Sequence, residues 1–533
     1  MISKKKAGRK RTRNQTKKDF VQEELQKKEI PSVQKTSETE DIQFQVINPA
    51  NLEVIGSLPI FNQEQVEEKI RYARETFPSW SSLSLNQRSR ELLKLRSYLA
   101  KNSEEMISTI CLETGKSRMD ALTEVLTVCE SIDYVAKQGK KHLKPQKRNT
   151  GLILAHKKAY INYHPYGVVG VISPWNYPLI LSLTPIVNAL MAGNTVVLKP
   201  SEITPFTALK VLEFFQKAGL PEGILQIVTG KGSTGAALVE SMGTHMICFT
   251  GSTATGKKIA ETCAKMLKPV ILELGGKDPL LVFEDANLKR AAKAAIWGGF
   301  FNSGQTCISV ERVYVQDSVY DSFIHLLMEE YKNVRQGQEN NFPEVGSMTS
   351  PGQVKILEEH YEDAQKKGAK ILVGGIRQEN QKGYYHKPAI LVDVNHTMKI
   401  MKEETFGPEI SIMRFSTEEE GIALANDSCY GLNSSIWTGN ANRGKQIAKK
   451  IQSGSVCIND CLSNYPVSDL PFGGFKESGM GKVHGPEGIR SFSQIQSVIM
   501  NRWFWKLDKE LWWYPYSEKF YKFMDRMMKL LFG

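Results

Sequence analysis

Several features that would mark other classes of protein are missing from this chain. No apolar stretch follows the first basic residues, so the N-terminus does not resemble a secretory signal. The eight cysteines include no Cys-x-x-Cys pair, and Cys457 and Cys461 have no histidine cluster beside them. We therefore expect no zinc site and assign no metal ligands. Most other cysteines stand in apolar stretches, which indicates buried thiols and a reducing compartment.

Charged side chains are absent between Pro165 and Leu198. A hydropathy profile alone would interpret this run as a membrane span. Prolines and glycines interrupt it, however, among them Pro174, Pro178 and Gly193. The pattern instead predicts a buried strand, a turn, a helix and a second buried strand, as in a parallel sheet that is covered on both faces.

Length and charge set further bounds. Because one core rarely serves more than about 300 residues, a chain of 533 residues predicts two large domains with appendages. Nine basic residues and no acid lie between Met1 and Lys18, within a net charge of +12. Residues 1–40 hold too few apolar side chains to offset their ordering entropy, which predicts a disordered basic tail. A solvated arm and a segment that binds anionic lipid or a receptor stay open; we expect no nucleic-acid partner.

Regular structure after the tail is predicted from periodicity. Residues 62–140 should be helical, with helices that begin at Asn62, Ser84 and Asn102. From Gly167 onward strands alternate with helices, which predicts βαβ units and a doubly wound α/β sheet. Strands are expected at 168–172, 195–198, 225–228, 246–249 and 270–274, and in a second domain at 280–283, 312–315, 369–373, 389–392 and 454–458.

The residues that indicate function stand in short polar or glycine-rich stretches. Cys307 ends a turn after a helical segment, where a thiol becomes a nucleophile if a base and hydrogen-bond donors lie near it. Asn176 stands between two prolines, and Glu273 precedes a pair of glycines. The stretches that carry this pattern are Phe301–Cys307, Pro174–Pro178, Glu273–Pro279, Gly193–Glu202, Phe249–Thr253, Glu404–Pro408 and Pro471–Gly474.

In their order and spacing these seven stretches resemble the aldehyde dehydrogenase superfamily over about residues 40 to 500. The resemblance implies an α/β fold with a Rossmann-like cofactor domain, an α/β catalytic domain and a small oligomerisation sheet. It assigns residues 41–145 and 166–276 to an NAD-binding domain and residues 277–484 to the catalytic domain. Residues 146–165 and 485–500 would form the oligomerisation sheet of a homodimer or tetramer.

The same resemblance implies three catalytic residues. Cys307 would attack the aldehyde carbonyl and carry the resulting thioester. Asn176 would donate a hydrogen bond to the oxyanion, together with the backbone N–H of Cys307. Glu273 would activate the water that releases the acid. Outside this context, Asn176 would ordinarily be interpreted as a turn residue. Glu273 would be interpreted as part of a helix face or of a salt bridge.

The cofactor that the resemblance implies is NAD. A helix start after a glycine turn can hold pyrophosphate, although a merely capped helix has the same sequence. Glu202, beside Lys199, would hold the adenosine ribose and repel the 2′-phosphate of NADP. Glu404 would bind the hydroxyls of the nicotinamide ribose. The implied cofactor-binding residues are Trp175, Lys199, Ser201, Glu202, Gly251, Ser252, Gly256, Leu274, Gly275, Glu404 and Phe406.

Aromatic residues mark a substrate tunnel and a C-terminal extension. Tyr177, Phe301 and Phe472 fall where the family lines its tunnel, although core packing is the default for such residues. Residues 501–533 contain eleven aromatic side chains and predict an amphipathic helix after Ser517, with lysines opposite the apolar face. The helix is too charged to span a membrane. It suits a membrane interface or docking on the body or on a neighbouring subunit.

These inferences predict an NAD-dependent aldehyde dehydrogenase that produces carboxylic acids, with apolar or long-chain aldehydes as one substrate class. We expect it in the cytoplasm or peripherally at a membrane surface. A CoA-acylating member of the superfamily is one alternative, which Glu273 argues against because that branch usually lacks the base. An inactive scaffold associated with membrane or nucleic acid is another, which the presence of Cys307, Asn176 and Glu404 argues against.

Overall fold

The structure of this protein is a computed structural model that describes residues 42–338, 342–378, 381–502, 510 and 512–533. The predicted basic tail lies outside the described residues. So do Trp503, Phe504 and Trp505 of the predicted extension.

Strands and helices alternate through the first half of the chain. Its strands are β1 (Gln43–Ile47), β2 (Val54–Pro59), β3 (Gln146–Arg148), β4 (Lys157–Pro165), β5 (Val168–Ile172), β6 (Thr195–Lys199), β7 (Leu225–Ile227), β8 (Met246–Thr250) and β9 (Val270–Glu273). Its helices are α1 (Gln63–Ser81), α2 (Leu85–Lys101), α3 (Ser103–Thr114), α4 (Arg118–Leu143), α5 (Ile180–Ala192), α6 (Phe206–Lys217), α7 (Gly232–Glu240) and α8 (Thr253–Lys265).

The second half continues the alternation. Its strands are β10 (Asp278–Val282), β11 (Val310–Gln316), β12 (Lys370–Val373), β13 (Ala389–Val392), β14 (Glu409–Phe415), β15 (Ser435–Trp437), β16 (Cys457–Ile458), β17 (Gly479–Met480) and β18 (Ser493–Asn501). Its helices are α9 (Leu288–Phe300), α10 (Tyr320–Tyr331), α11 (Pro351–Lys366), α12 (Lys399–Lys402), α13 (Glu418–Asn426), α14 (Ala441–Ala448), α15 (Gly485–Ser491) and α16 (Glu518–Phe532).

Two of the three predicted helix starts have the expected cap. Asn62 and Ser84 begin α1 and α2, each with a reciprocal capping box. Asn102 also begins a helix, α3, as predicted, but its side chain makes no cap hydrogen bond there. Its Nδ2 donates instead to the carbonyl of Tyr98, 2.8 Å away, and so closes the end of α2. An asparagine between two abutting helices can serve either one, and local sequence does not decide between them.

A six-stranded sheet in the order β17-β9-β8-β5-β6-β7 forms the first α/β layer. Its strands are parallel apart from β17. The uncharged run from Pro165 to Leu198 supplies β5, α5 and most of β6, and all three elements are buried along their length. Among the described residues, no helix has both the length and the apolar character needed to cross a membrane.

A seven-stranded sheet in the order β12-β13-β14-β11-β10-β15-β16 forms the second α/β layer. β14 and β15 are not among the predicted strands. β15 has only three residues and begins with a serine, so it offers little periodicity to detect. The α/β fold class is confirmed, whereas the domain boundaries stay a prediction.

A three-stranded sheet in the order β18-β4-β3 stands apart from both layers. β18 pairs antiparallel with β4 from Ser493 opposite Pro165 to Asn501 opposite Lys157. β18 is the edge strand, so its outer backbone groups are free of any ladder in the described chain. The carboxylate of Glu510 contacts the start of β4, since it pairs with Lys157 at 2.9 Å and with the preceding His156 at 3.1 Å.

Candidate active site

A left-handed turn delivers the predicted nucleophile. After α9 ends, Asn302, Ser303 and Gly304 adopt φ values of 53°, 57° and 68°. A Cβ atom at Gly304 would lie 2.0 Å from the carbonyl oxygen of Gly407, so only glycine fits there. The turn brings Cys307 in front of β11. The sequence shows a polar turn at this point but not its hand.

Cys307 lies where two cavities meet, since its side chain lines both. Burial raises the pKa of the thiol well above its usual value, and the nearby carboxylates of Glu273 and Glu404 raise it further. The thiol is therefore protonated in this state of the protein. A base must take its proton before it can act as a nucleophile.

The side chain of Asn176 is buried beside the cysteine turn. Its Nδ2 donates to the carbonyl of Gln305, 3.0 Å away. An amide NH₂ has two hydrogens, so one remains for a second acceptor. The backbone N–H of Cys307 points toward its own sulfur and lowers the thiol pKa slightly. Asn176 and Cys307 line the same cavity, so both residues can supply donors to it.

Glu273 ends β9 and is 4% exposed. Burial raises the pKa of its carboxyl group to about 8, and Lys482 opposes that shift. Its Oε1 atom accepts no hydrogen bond from the described residues. A buried carboxyl group with a free oxygen and a pKa near neutrality has the properties of a general base.

Glu404 stands across the site on the loop before β14. Its Oε1 accepts a hydrogen bond from the N–H of Gly276 at 2.9 Å, and burial raises its pKa to about 8. A Cβ atom at Gly275 would lie 2.7 Å from Glu404 Oε2, so the glycine permits this approach. Phe406, at φ 53°, packs edge-on against Trp175 with ring centroids 5.4 Å apart.

A continuous groove, here called the cofactor groove, leads from the end of β6 to Cys307. It consists of a cavity of about 650 Å³ and one of about 240 Å³. The two share Trp175, Gly251 and Ser252 among their walls. The outer cavity also contacts Lys199, Ser201 and Glu202, and the inner one Asn176, Leu274, Gly275, Cys307, Glu404 and Phe406.

One of the predicted cofactor residues does not line this groove. Gly256 lies in the first turn of α8, and a Cβ atom there would meet the side chain of Leu274 at 2.4 Å. The glycine therefore lets α8 pack closely on the residue after β9. Ser252, which does line the groove, caps α8 by accepting from the N–H of Thr255 at 3.4 Å.

A second glycine-rich turn in the groove is not among the predicted cofactor residues. Residues 230–235 read Gly-Lys-Gly-Ser-Thr-Gly, follow shortly after β7 and open α7. Gly232 and Gly235 line the outer cavity, and a Cβ atom on either would meet nothing within 4 Å. Their spacing matches the Gly-x-Gly-x-x-Gly pattern of dinucleotide sites and was the signal that could have identified them.

Lys199 and Glu202 form an ion pair at the outer end of the groove. The Lys199 Nζ lies 3.1 Å from Glu202 Oε2. The lysine is almost fully buried, while the glutamate side chain is 43% exposed. The carboxylate is therefore free to contact a ligand that enters from solvent.

A second, apolar passage reaches Cys307 from the other side, here called the apolar tunnel. Its cavity of about 140 Å³ has Tyr177, Phe301, Trp297 and Tyr465 among its walls. The rings of Phe301 and Tyr177 stack with centroids 6.4 Å apart. Among the described lining residues Glu124 is the one charged side chain.

Phe472, predicted to line the tunnel, lies behind its wall. It is buried and packs edge-on against Tyr465, with ring centroids 4.7 Å apart. The sequence cannot distinguish the wall from the layer behind it, because both positions favour an aromatic side chain. No cluster of His, Cys, Asp and Glu that could hold a metal ion occurs in the described part of the chain.

Comparisons with known proteins agree with this geometry. The model of the aldehyde dehydrogenase family matches residues 35–498. The chain belongs to the aldehyde dehydrogenase family. A relative from Methylomonas sp., 4,4′-diapolycopene aldehyde oxidase, is 39% identical over 489 residues, which cover 91% of each protein.

Solved structures with the same fold include family members with either dinucleotide. An NADP-dependent enzyme from E. coli has a TM-score of 0.83 at 34% identity, over 86% of this chain and 95% of that one. Betaine aldehyde dehydrogenase from Staphylococcus aureus, in complex with NAD⁺, has a TM-score of 0.83 at 31% identity, over 89% and 94%. This aldehyde dehydrogenase therefore oxidises aldehydes to carboxylic acids with a nicotinamide cofactor of the NAD or NADP type. The predicted activity is confirmed, and the scaffold and CoA-acylating alternatives are not favoured.

Proposed function

We propose that this enzyme oxidises long, apolar aldehydes with NAD at a membrane surface, through Cys307, Asn176 and Glu273. The observation that carries the proposal is the apolar tunnel that ends at the cysteine sulfur. Its walls come from aromatic and aliphatic side chains, and its partly exposed Trp297 marks an outer end.

The charge of the tunnel favours neutral substrates. An aldehyde that also carries a carboxylate would find no cation among the described lining residues, since the one charged residue there, Glu124, is an acid that already pairs with Lys116. Burying such an anion without a partner is costly. An alkyl or polyene chain, in contrast, gains about 25 cal/mol for each Å² of apolar surface that it buries. The name of the Methylomonas relative makes an aldehyde of 4,4′-diapolycopene a first substrate to test.

The cofactor groove fits a dinucleotide by the character of its walls. Gly232 and Gly235 present bare backbone to the open groove, where side chains would fill the space. Ser252 and the N-terminus of α8 offer N–H groups to a pyrophosphate, and Glu202 and Glu404 offer carboxylates to the two riboses. When bound there, the nicotinamide accepts the hydride that leaves the substrate carbon.

The first half of the reaction would form a thioester. Glu273 takes the proton of the Cys307 thiol, because its raised pKa makes it a stronger base than an ordinary carboxylate. The sulfur then attacks the carbonyl carbon. Asn176 Nδ2 and the N–H of Cys307 donate to the oxygen as its negative charge develops, a contribution of about 3 kcal/mol for one such donor. Loss of hydride from the tetrahedral carbon leaves the thioester on Cys307.

The second half would release the acid. Glu273 first releases the thiol proton to solvent, and its buried carboxylate, with one oxygen that accepts no hydrogen bond from the described residues, then accepts a proton from water. The hydroxide that results attacks the thioester carbon, and the same donors hold the oxyanion. Collapse of this adduct expels the Cys307 thiolate and frees the carboxylic acid, and Glu273 returns its proton to the thiolate, which restores the starting state.

Electrostatics at the outer end of the groove support NAD over NADP. Two cations, Lys199 and Lys258, line the outer cavity, and Lys199 already pairs with Glu202. A 2′-phosphate would bring a second anion to the same carboxylate, and like charges in a half-buried site repel. The E. coli enzyme with the same fold is NADP-dependent, so the preference for NAD is proposed here from the contacts at Glu202 and not from the fold.

The C-terminal helix supports a peripheral membrane site. No residue of α16 is fully buried, although Phe520, Met524 and Met527 are half-buried and Phe520 packs against Trp512. Phe523, Met528, Leu531 and Phe532 are exposed, and four basic residues accompany two acids on the helix. Aromatic and basic side chains on one amphipathic helix fit the surface of an anionic bilayer. A neighbouring subunit, joined through the edge of β18 in a dimer or tetramer, is the other occupant to test.

Rates of NADH formation over a panel of aldehydes test the substrate class. The panel runs from propanal to hexadecanal in detergent micelles and includes 4,4′-diapolycopene aldehyde and succinate semialdehyde. We expect kcat/KM to rise with chain length and to be lowest for the anionic semialdehyde. A preference for short or anionic aldehydes would contradict the proposal.

A further inference from the structure

A buried ion pair beside the oxyanion site has no evident role in folding. Lys116, between α3 and α4, is 1% exposed, and Glu124 on α4 is fully buried. Lys116 Nζ lies 3.0 Å from Glu124 Oε2. Burying such a pair is costly, and apolar residues of the same volume are often equally stable or more stable. Its presence in the core therefore suggests a function that apolar side chains could not supply.

The lysine has two further contacts, both on the loop that carries the oxyanion donor. Its Nζ donates to the main-chain carbonyl of Asn176 at 2.8 Å and lies 4.4 Å from the centroid of the Tyr177 ring. Asn302 Nδ2 donates to the same carbonyl at 3.1 Å. The backbone of Asn176 is thus held by a charged donor from one side and by the cysteine turn from the other.

The glutamate holds the other end of the same loop. Glu124 Oε1 accepts hydrogen bonds from the N–H groups of Leu179 and Ile180, at 2.8 Å and 3.0 Å. These groups stand at the start of α5. A single ion pair therefore clamps the loop at Asn176 and again three residues later. Neither residue is a member of the predicted site.

The clamp determines where the Asn176 amide points. Its Nδ2 donates to Gln305 and, in the proposed reaction, to the oxyanion on Cys307. Such donors stabilise charge only within a few tenths of an ångström of the correct position, and a shift of about 1 Å can cost about 100-fold in rate. The position of the amide follows from the main chain that the ion pair holds.

We propose that Lys116 is a positioning residue, which together with Glu124 fixes the main chain of Asn176 so that its side-chain amide meets the oxyanion. This inference rests on the oxyanion role given to Asn176 above. It assigns a function to two buried charged residues that lie outside the predicted site, one of which, Glu124, also lines the apolar tunnel.

A matched pair of variants isolates the hydrogen bond from the charge. Lys116→Met alone would leave Glu124 buried without its cation, so both variants also carry Glu124→Gln. Glutamine at 124 keeps an oxygen for the N–H groups of Leu179 and Ile180. Lys116→Gln with Glu124→Gln then retains a donor toward the Asn176 carbonyl, whereas Lys116→Met with Glu124→Gln does not. The two proteins have equal charge.

The measurement is the single-turnover rate of NADH formation with the best aldehyde of the panel. We expect the methionine variant to be about 10- to 100-fold slower than the glutamine variant, with equal dissociation constants for NAD. In an Asn176→Ala background the difference between the two should disappear, because no amide remains to be positioned. Thermal unfolding of each variant reports on folding.

Three outcomes would overturn the proposal. The methionine and glutamine variants could react at the same rate, or their difference could persist in the Asn176→Ala background. Either result would mean that Lys116 does not act through the amide. If neither variant folds, the pair serves stability alone. The oxyanion role of Asn176 is tested separately, because Asn176→Ala by itself should lower the rate by about 100- to 1000-fold.

Discussion

The two passages that meet at Cys307 are built in different ways. The outer cavity of the cofactor groove uses strand ends, glycines and backbone N–H groups from neighbouring parts of one sheet and its helices. The apolar tunnel uses side chains that come from α4, α5, α9 and the loop after β16. Backbone contacts suit a ligand that is common to a family, whereas side chains can change without disturbing the sheet. Cofactor preference and substrate preference should therefore respond to separate mutations.

Removing the thiol of Cys307, where the two passages meet, should have the largest effect on turnover. Cys307→Ala should lower turnover by at least about 1000-fold, because the nucleophile is lost. The substitution removes one sulfur atom, so we expect normal folding and normal binding of NAD in a fluorescence titration. Ordinary NADH production by the folded variant would show that the sulfur is not the reacting group.

Removing the base should slow both halves of the reaction. Glu273→Gln should lower the burst of NADH and the steady-state turnover by about 100-fold or more, because the proposed mechanism uses this carboxylate for the thiol and for the water. A burst at the wild-type rate followed by slow turnover would mean that another group deprotonates the thiol. Stopped-flow absorbance of NADH distinguishes these results, and equal rates in both phases at the wild-type level would contradict the assignment.

The raised pKa of Glu273 predicts a direction for the pH dependence. A base must be deprotonated, and burial raises the pKa of this carboxyl group to about 8. Turnover should therefore rise as the pH increases from 7 to 9, and it should fall toward lower pH as Glu273 takes up a proton. Steady-state rates across this range test the sign. In Glu273→Gln the rise in turnover that comes from deprotonation of Glu273 should be absent.

Two substitutions test whether the cofactor groove and the apolar tunnel act independently. Phe301→Ala should lower kcat/KM for long aldehydes by about 10-fold, because the chain loses an aromatic wall, while KM for NAD stays the same. Glu202→Gln should increase the ratio of NADP to NAD use by about fivefold and leave the aldehyde preference unchanged, a modest effect because the side chain is half exposed. If each variant altered both preferences, the two passages would not be independent.

The C-terminal helix should have the smallest effect on the chemistry. Deleting residues 512–533 leaves the Glu510 ion pairs in place and should abolish sedimentation with anionic liposomes. Turnover of a short aldehyde in solution should be unchanged. Replacing Phe523 and Phe532 with glutamate is a matched control that keeps the chain length. A change of oligomeric state on deletion, without liposome binding by the full chain, would assign the helix to a subunit contact.

Much of the fold was accessible from the sequence. The strands of the first sheet are continuous apolar runs, because a parallel sheet is buried on both faces, and glycines and prolines mark their ends. The candidate residues Lys199 and Glu273 end two of these strands. Short β15 was not accessible, because it is a strand only through its pairing with distant β10. The position of Phe472 was not accessible either, because the tunnel wall and the layer behind it both favour an aromatic side chain.

The sequence by itself determined the family, the α/β alternation and the residue types at the catalytic centre, because these follow from local patterns and from motifs in a set order. The tertiary structure decided what those residues experience. Burial raises the pKa of Glu273 and Cys307, Phe472 falls behind the wall, and Lys116 reaches Asn176 across 60 residues of chain. Desolvation and long-range hydrogen bonds depend on the complete packing around a group, and no stretch of sequence contains that information.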